Sequence, residues 1–240
     1  MTAAFQIDDM KTITGLVPQK RGGRLNVYLD GRFAFGLSAE VALSAGLTEG
    51  RRLNDSEVDA LVRQEERLSA VNAALRFLAY RPRSQDEVRL RLRRKGFSPA
   101  LVVATLEQLV ERGLLDDSAF ARFWVENRTT FRPRSARLLS MELRRKGVPV
   151  ETAHEALLEL NEEDDAYRAA RKKAESAQSE DYRVFRERIG SYLRRRGYSY
   201  DLAARTVDRL WQERRAAEGE AALTPCGTAD TITRSPPNPI

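Results

Sequence analysis

The stretch Leu92-Arg93-Arg94-Lys95-Gly96 returns as Leu143-Arg144-Arg145-Lys146-Gly147 and again as Leu193-Arg194-Arg195-Arg196-Gly197. The three glycines lie 51 and 50 residues apart, a spacing regular enough to mark a repeated supersecondary unit. Arg81-Pro82-Arg83-Ser84 and Arg132-Pro133-Arg134-Ser135 recur at the same interval of 51, and the third copy lacks them. A chain of this kind folds as an array of similar units rather than around one irregular core.

Each motif reads first as the end of a helix. Glycine takes a positive φ without steric penalty, and the apolar residue that follows it (Phe97, Val148 or Tyr198) folds back on the last turn. Cations in that turn complement the negative end of the helix dipole. Upstream, Ser84 with Glu87 three positions later spells a capping box, which opens the helix that Gly96 closes. Val88 and Leu92 share one face of that helix, and their counterparts are Leu139 and Leu143, then Ile189 and Leu193. A first helix with Val71, Leu75 and Leu78 stops ahead of Pro82. A third runs from Ser98 to Arg112 with Val102, Leu106 and Leu109, a row answered by Ala153, Leu157 and Leu160 and by Ala203, Val207 and Leu210. The second unit opens at Asp116 with Phe120, Phe123 and Trp124, which read as core; the third opens after the acidic run Glu162–Asp165, a dipole partner for the next helix.

Ahead of the repeats, Leu25, Val27, Leu29, Phe33, Phe35 and Leu37 alternate on both sides of Asp30-Gly31, a hairpin signal. A two-residue loop would pair Leu29 with Arg32 and put the two apolar rows on opposite faces. A three-residue loop with Gly31 left-handed pairs Val27 with Phe33 and Leu25 with Phe35, and is the expected one. Lys11–Val17 supplies a further strand, and short helices follow at Ser38–Ala45 and from Asn54 or Asp55 onward. The expected fold is mostly α: three tandem three-helix repeats in an elongated, curved array, preceded by a small β-hairpin/sheet extension. The expected division is 1–10 flexible N-terminus, with Met1 or Met10 as start, and 11–68 β-rich extension with helices. The three repeats take 69–115, 116–160 and 161–214, and 215–240 form a disordered, proline-rich tail.

Function classes narrow quickly. One cysteine, Cys226, and one histidine, His154, leave no disulfide framework, no metal-ligand spacing and no nucleophile with a base, so neither an enzyme nor a cofactor is expected. No apolar run approaches the roughly 20 residues of a membrane span and no secretory signal opens the chain, so the expected compartment is the cytoplasm. The net charge is +6, and it is uneven: residues 1–68 hold 9 basic and 10 acidic residues, residues 69–214 hold 30 and 22. The excess sits in the repeats and points to a polyanion or an acidic protein surface.

The repeated motif, the segment Arg83-Ser84-Gln85-Asp86-Glu87-Val88, and Gly113-Leu114-Leu115-Asp116-Asp117-Ser118-Ala119-Phe120-Ala121 together resemble the bacterial RecX family over roughly Ser69–Trp211. The hairpin is similar to an extension that some members carry. A monomer is expected, and the resemblance implies a regulator that binds the RecA filament in its helical groove. There it would restrain filament growth, ATP hydrolysis, strand exchange and co-protease activity, in DNA repair and the SOS response. Asp181-Tyr182-Arg183 departs from the Arg-Pro-Arg of the other two copies.

The candidate partner-binding residues form a basic stripe: Arg93, Arg94 and Lys95; Arg144, Arg145 and Lys146; Arg194, Arg195 and Arg196. The middle arginines fall about 200° around the helix from the buried-face leucines and point outward. Two partners fit such a stripe. One is the RecA filament; the other is single- or double-stranded DNA held through phosphate contacts by helix-turn-helix-like units. Base reading is not expected, because the cations cluster at helix C-termini whereas a recognition helix reads with its N-terminal part.

Overall fold

The computed structural model describes residues 10–20, 23–177 and 181–223, with side chains as far as Glu218. The described residues gather into two compact units. One contains the described residues up to Phe123 together with Leu143–Ala153; the other contains Trp124–Glu142 and the described residues from His154 onward.

The first unit begins with a four-stranded antiparallel sheet in the order β3-β2-β1-β4: β1 (Lys11–Pro18), β2 (Arg24–Leu29), β3 (Arg32–Ser38) and β4 (Arg52–Leu53). The β2–β3 turn corrects the expected register. Asp30 and Gly31 both have positive φ, 49° and 79°, so the loop has two residues and pairs Leu29 with Arg32. The conflict of faces is resolved one step later by a bulge. Tyr28 lies opposite Phe33 but Val27 lies opposite Phe35, and the extra residue, Ala34, resets the alternation. Val27, Leu29 and Leu37 then share a core, while Phe33 stays 60% exposed, its ring edge-on to Tyr28. Ile13, Leu53, Val41 of α1 (Ala39–Ser44) and Leu61 complete that core.

Leu61 belongs to α2 (Asp55–Leu78), one continuous helix of 24 residues where two were expected on either side of residue 68. Asn54 and Glu57 close a reciprocal capping box at its start. Halfway along, the buried Glu65 accepts hydrogen bonds from Arg24 Nη1 (2.5 Å) and the Ser38 amide (2.8 Å), fastening the helix to the sheet. Beyond that, Ala73 and Ala74 pack on α3 (Gln85–Arg94) and α4 (Pro99–Glu111), with Val88, Leu92, Val102, Leu106 and Leu109 inside. The small alanines let the helices approach closely.

The second group of three helices is α5 (Asp117–Phe131), α6 (Ala136–Arg145) and α7 (Val150–Glu155). Phe120, Leu139 and Leu143 are fully buried, as their apolar periodicity requires. The expected long third helix is cut short at Glu155. Amides of Leu157, Leu158 and Leu160 bond to carbonyls three residues back. Where α4 ends on Gly113 at φ 66°, this stretch has no glycine, and successive i−3 bonds turn the chain without a left-handed residue.

The third group is α8 (Glu162–Glu175), α9 (Tyr182–Arg195) and α10 (Tyr200–Leu223), closed around Ala166, Ala170, Phe185, Ile189, Leu193 and Val207. The acidic run forms the first turn of α8, capped by Asn161. The expected tail from 215 is corrected in part, since α10 runs to Leu223. The rest of that tail with Cys226, and residues 1–9 of the expected flexible start, lie outside the described residues.

Candidate functional site

The three basic motifs fold into the same turn. In each, the glycine amide bonds to the carbonyl three residues back, and the next apolar residue bonds to the leucine carbonyl: Phe97 to Leu92 (3.4 Å), Val148 to Leu143 (3.1 Å), Tyr198 to Leu193 (3.3 Å). Gly96, Gly147 and Gly197 have φ of 88°, 75° and 88°. Leu92, Leu143 and Leu193 are completely buried, so the helix rotation that seats them turns Arg94, Arg145 and Arg195 outward. Arg93, Arg94, Lys95, Arg144, Arg145, Arg194 and Arg195 are exposed, and Arg194 bonds the Ser191 hydroxyl at 3.0 Å.

Lys146 and Arg196 differ from the other seven, because they build joints between consecutive repeats. The Ser84 hydroxyl, at the N-cap of α3, donates to the Lys146 carbonyl (2.5 Å), and Lys146 Nζ reaches Glu87 (2.7 Å). One repeat further on, the Ser135 amide donates to the Arg196 carbonyl (3.1 Å), and Arg196 Nη1 donates to the Pro133 carbonyl (2.8 Å). The first free amide of α3 and that of α6 are also satisfied from the following repeat. Gln85 donates to Asp117 (2.9 Å) and Ala136 to Glu162 (2.5 Å).

Glycine serves these joints twice over. A Cβ on Gly147 would lie inside contact distance of Asp86, and one on Gly197 inside contact of Ser135 and Leu138, whereas around Gly96 there is open space. The Arg-Pro-Arg-Ser motif is therefore one half of a joint whose other half is the basic motif of the next repeat. The third copy lacks it because α9 starts one turn earlier, at Tyr182 capped by Asp181, which places Phe185 inside the helix at the serine position.

Electrostatics in the first joint centre on Glu87. The sequence reading made it the return half of a capping box; its carboxylate instead binds Arg81 (3.0 Å) and Lys146 (2.7 Å). Burial pushes this carboxyl up, but the hydrogen bonds and charges of Arg81 and Lys146 outweigh it and hold Glu87 below the usual glutamate value. Asp117 is pushed up by burial, against the amide of Gln85 that favours its charged form. Of the nine stripe residues, then, seven face solvent and two knit repeats together; Ser84, Ser135, Asp117 and Glu162 were missed as their counterparts. The signal was the equal spacing of the two motifs.

His154 is exposed. Among the described residues no cluster of three or more His, Cys, Asp or Glu could hold a metal ion, and no helix is long and apolar enough to cross a membrane.

Comparison with known proteins covers both parts of the chain. Residues 11–54 match the regulatory protein RecX N-terminal domain, and residues 70–109, 116–157 and 161–207 match the first, second and third three-helix domains of RecX. The regulatory protein RecX of Bacillus subtilis is 31% identical over 209 residues, covering 85% of this chain and 79% of its own length. That of Leuconostoc mesenteroides is 30% identical over 207 residues, covering 85% and 78%. Among solved structures, a crystal structure of regulatory protein RecX covers 82% of this chain and 99% of its own, with a TM-score of 0.62 at 23% identity, a likeness of fold. With four domains of the family matched in order and relatives at this identity over most of their length, the chain belongs to the RecX family of regulatory proteins.

Proposed function

We propose that this protein binds RecA nucleoprotein filaments and restrains the recombinase, its ATPase and its co-protease activity, in DNA repair and the SOS response. It acts in the cytoplasm as a monomer, by occupancy and without catalysis of its own. The observation that carries this reading is the threefold recurrence of exposed cations at one structural position, Arg93, Arg94 and Lys95, Arg144 and Arg145, Arg194 and Arg195. Surface charge repeated at a fixed interval suits a partner that is itself periodic and presents acidic groups.

The stripe also suits DNA phosphates, and co-sedimentation separates the two. RecA filaments on single-stranded DNA should bring the protein down at concentrations where the DNA alone does not, and filament ATP hydrolysis should fall in step. Equal recovery with bare DNA, lost steeply as salt rises, would instead make the phosphates the ligand.

A further inference from the structure

The basic turn occurs three times and is occupied twice from within the chain. At Gly147 and Gly197 it receives the N-terminal end of the preceding second helix, whose serine supplies a hydroxyl or an amide to the turn's carbonyl. In the first joint the incoming helix also brings carboxylates: Glu87 meets Lys146, and Asp86 fills the space beside Gly147. At the first repeat the same turn is built with the same bonds and the same left-handed glycine, yet Lys95 and Gly96 are exposed and a Cβ on Gly96 would meet nothing within 4 Å. The Ser84 and Ser135 ends of this chain are already seated, and α9 has no serine-capped end at that position. Of this chain's own serine-capped helix ends, that of α10, Ser199 with Asp201 in the first turn, is exposed.

We infer that the turn Arg93–Gly96 is a docking seat for a helix N-terminus of the partner protein, one with a hydroxyl-bearing cap and a carboxylate in its first turn. The partner's cap hydroxyl donates to the Lys95 carbonyl, its carboxylate takes the Lys95 ammonium, and its backbone approaches over the bare Cα of Gly96. The first joint defines the hydroxyl and the carboxylate, and the second shows the same turn receiving a helix end through a backbone amide. The inference rests on the reading of the RecA filament as partner and says which kind of element on that filament is gripped.

The test adds bulk without charge. Gly96→Asn keeps a residue that tolerates positive φ and meets open space in the free protein, so the variant should melt within a few degrees of the parent. Its half-saturation on RecA filaments should rise by about tenfold or more, as expected when a buried charge pair and its close approach are denied. Lys95→Glu, at an exposed position, gives a second reading should the asparagine variant fail to fold, and should weaken filament binding similarly. Parental filament binding by either variant, folded, overturns the seat while leaving the filament reading intact. A parent that does not bind filaments overturns both. Loss of bare-DNA affinity in Lys95→Glu with parental filament binding in Gly96→Asn would make the turn a phosphate contact and also overturns the seat. Self-association of the protein that Lys95→Glu abolishes would make a second copy, through its Ser199 end, the occupant and overturn the seat as well.

Discussion

Ser84 donates its hydroxyl hydrogen to the main-chain carbonyl of Lys146 at 2.5 Å, across 62 residues of sequence. The same oxygen accepts the Glu87 amide at 3.2 Å, so one completely buried hydroxyl both starts α3 and fastens the second repeat to the first.

That double use sets Ser84 apart from its counterpart. Ser135 holds its joint through the backbone amide and uses its hydroxyl only on the Leu138 amide. Ser135→Ala should then cost about 1 kcal/mol, the usual loss of an N-cap. Ser84→Ala loses the cap and leaves a buried carbonyl without its donor, for about 2–3 kcal/mol in all. Urea unfolding of the two variants measures the difference, and equal losses would mean the hydroxyl is idle in the joint.

The glycines give a graded series. Valine at any of the three positions forces a β-branched residue to positive φ, costing ~1 kcal/mol or more. Gly147→Val and Gly197→Val must in addition displace Asp86, or Ser135 and Leu138, while Gly96→Val meets nothing. Melting temperatures should fall least for Gly96→Val. A uniform fall would show that the φ term alone matters.

Acid should open the first joint through Glu87. Its folded-state value lies below the ordinary glutamate value of 4.5, so its stabilising contribution is fully present above that value and is lost as pH falls through the lower folded one. Asp117 works in the opposite sense. Its folded value is raised above 3.8, so its contribution is present at low pH and is lost as pH rises through that raised value. The stability gap between parent and Glu87→Gln should therefore shrink on acidification. A gap that stays constant from neutral pH to about 3 would remove the Glu87 charge from the joint.

Reversal of Arg94, Arg145 and Arg195 to Glu tests the stripe itself. All three are exposed, so the fold should change by no more than about 0.5 kcal/mol for each. Filament binding and ATPase inhibition should weaken strongly, since repulsion replaces attraction three times over. A folded triple variant that inhibits as the parent does would take these arginines out of the interface.

The repeat and the buried rows and C-terminal ends of the three second helices were legible because each is local: a period, a spacing of four, a glycine after cations. In α2 the row expected at Val71, Leu75 and Leu78 is corrected, since Ala73 and Ala74 are buried and Leu75 is 37% exposed. The role of Lys146 and Arg196 was not, since an inward and an outward cation are written with the same letters and only the tertiary partner distinguishes them. Glu87 shows the same limit. Its position three after Ser84 fits a capping box, but the cations Arg81 and Lys146, one of them 59 residues away, outcompete a single neutral amide. In the hairpin, Asp30-Gly31 named the turn; the bulge at Ala34 that repairs the faces carries no letter of its own.

Helix α2 belongs to two cores, with Leu61 in that of the sheet and Ala73 and Ala74 in that of the first repeat. Arrays of this kind unravel one module at a time when their neighbours are joined only by surface contacts. Here the covalent rod runs through both, so fraying at the sheet removes the scaffold on which α3 and α4 are packed. Hydrogen exchange should find the slow amides of β2 and of α3 opening as one foldon rather than in succession.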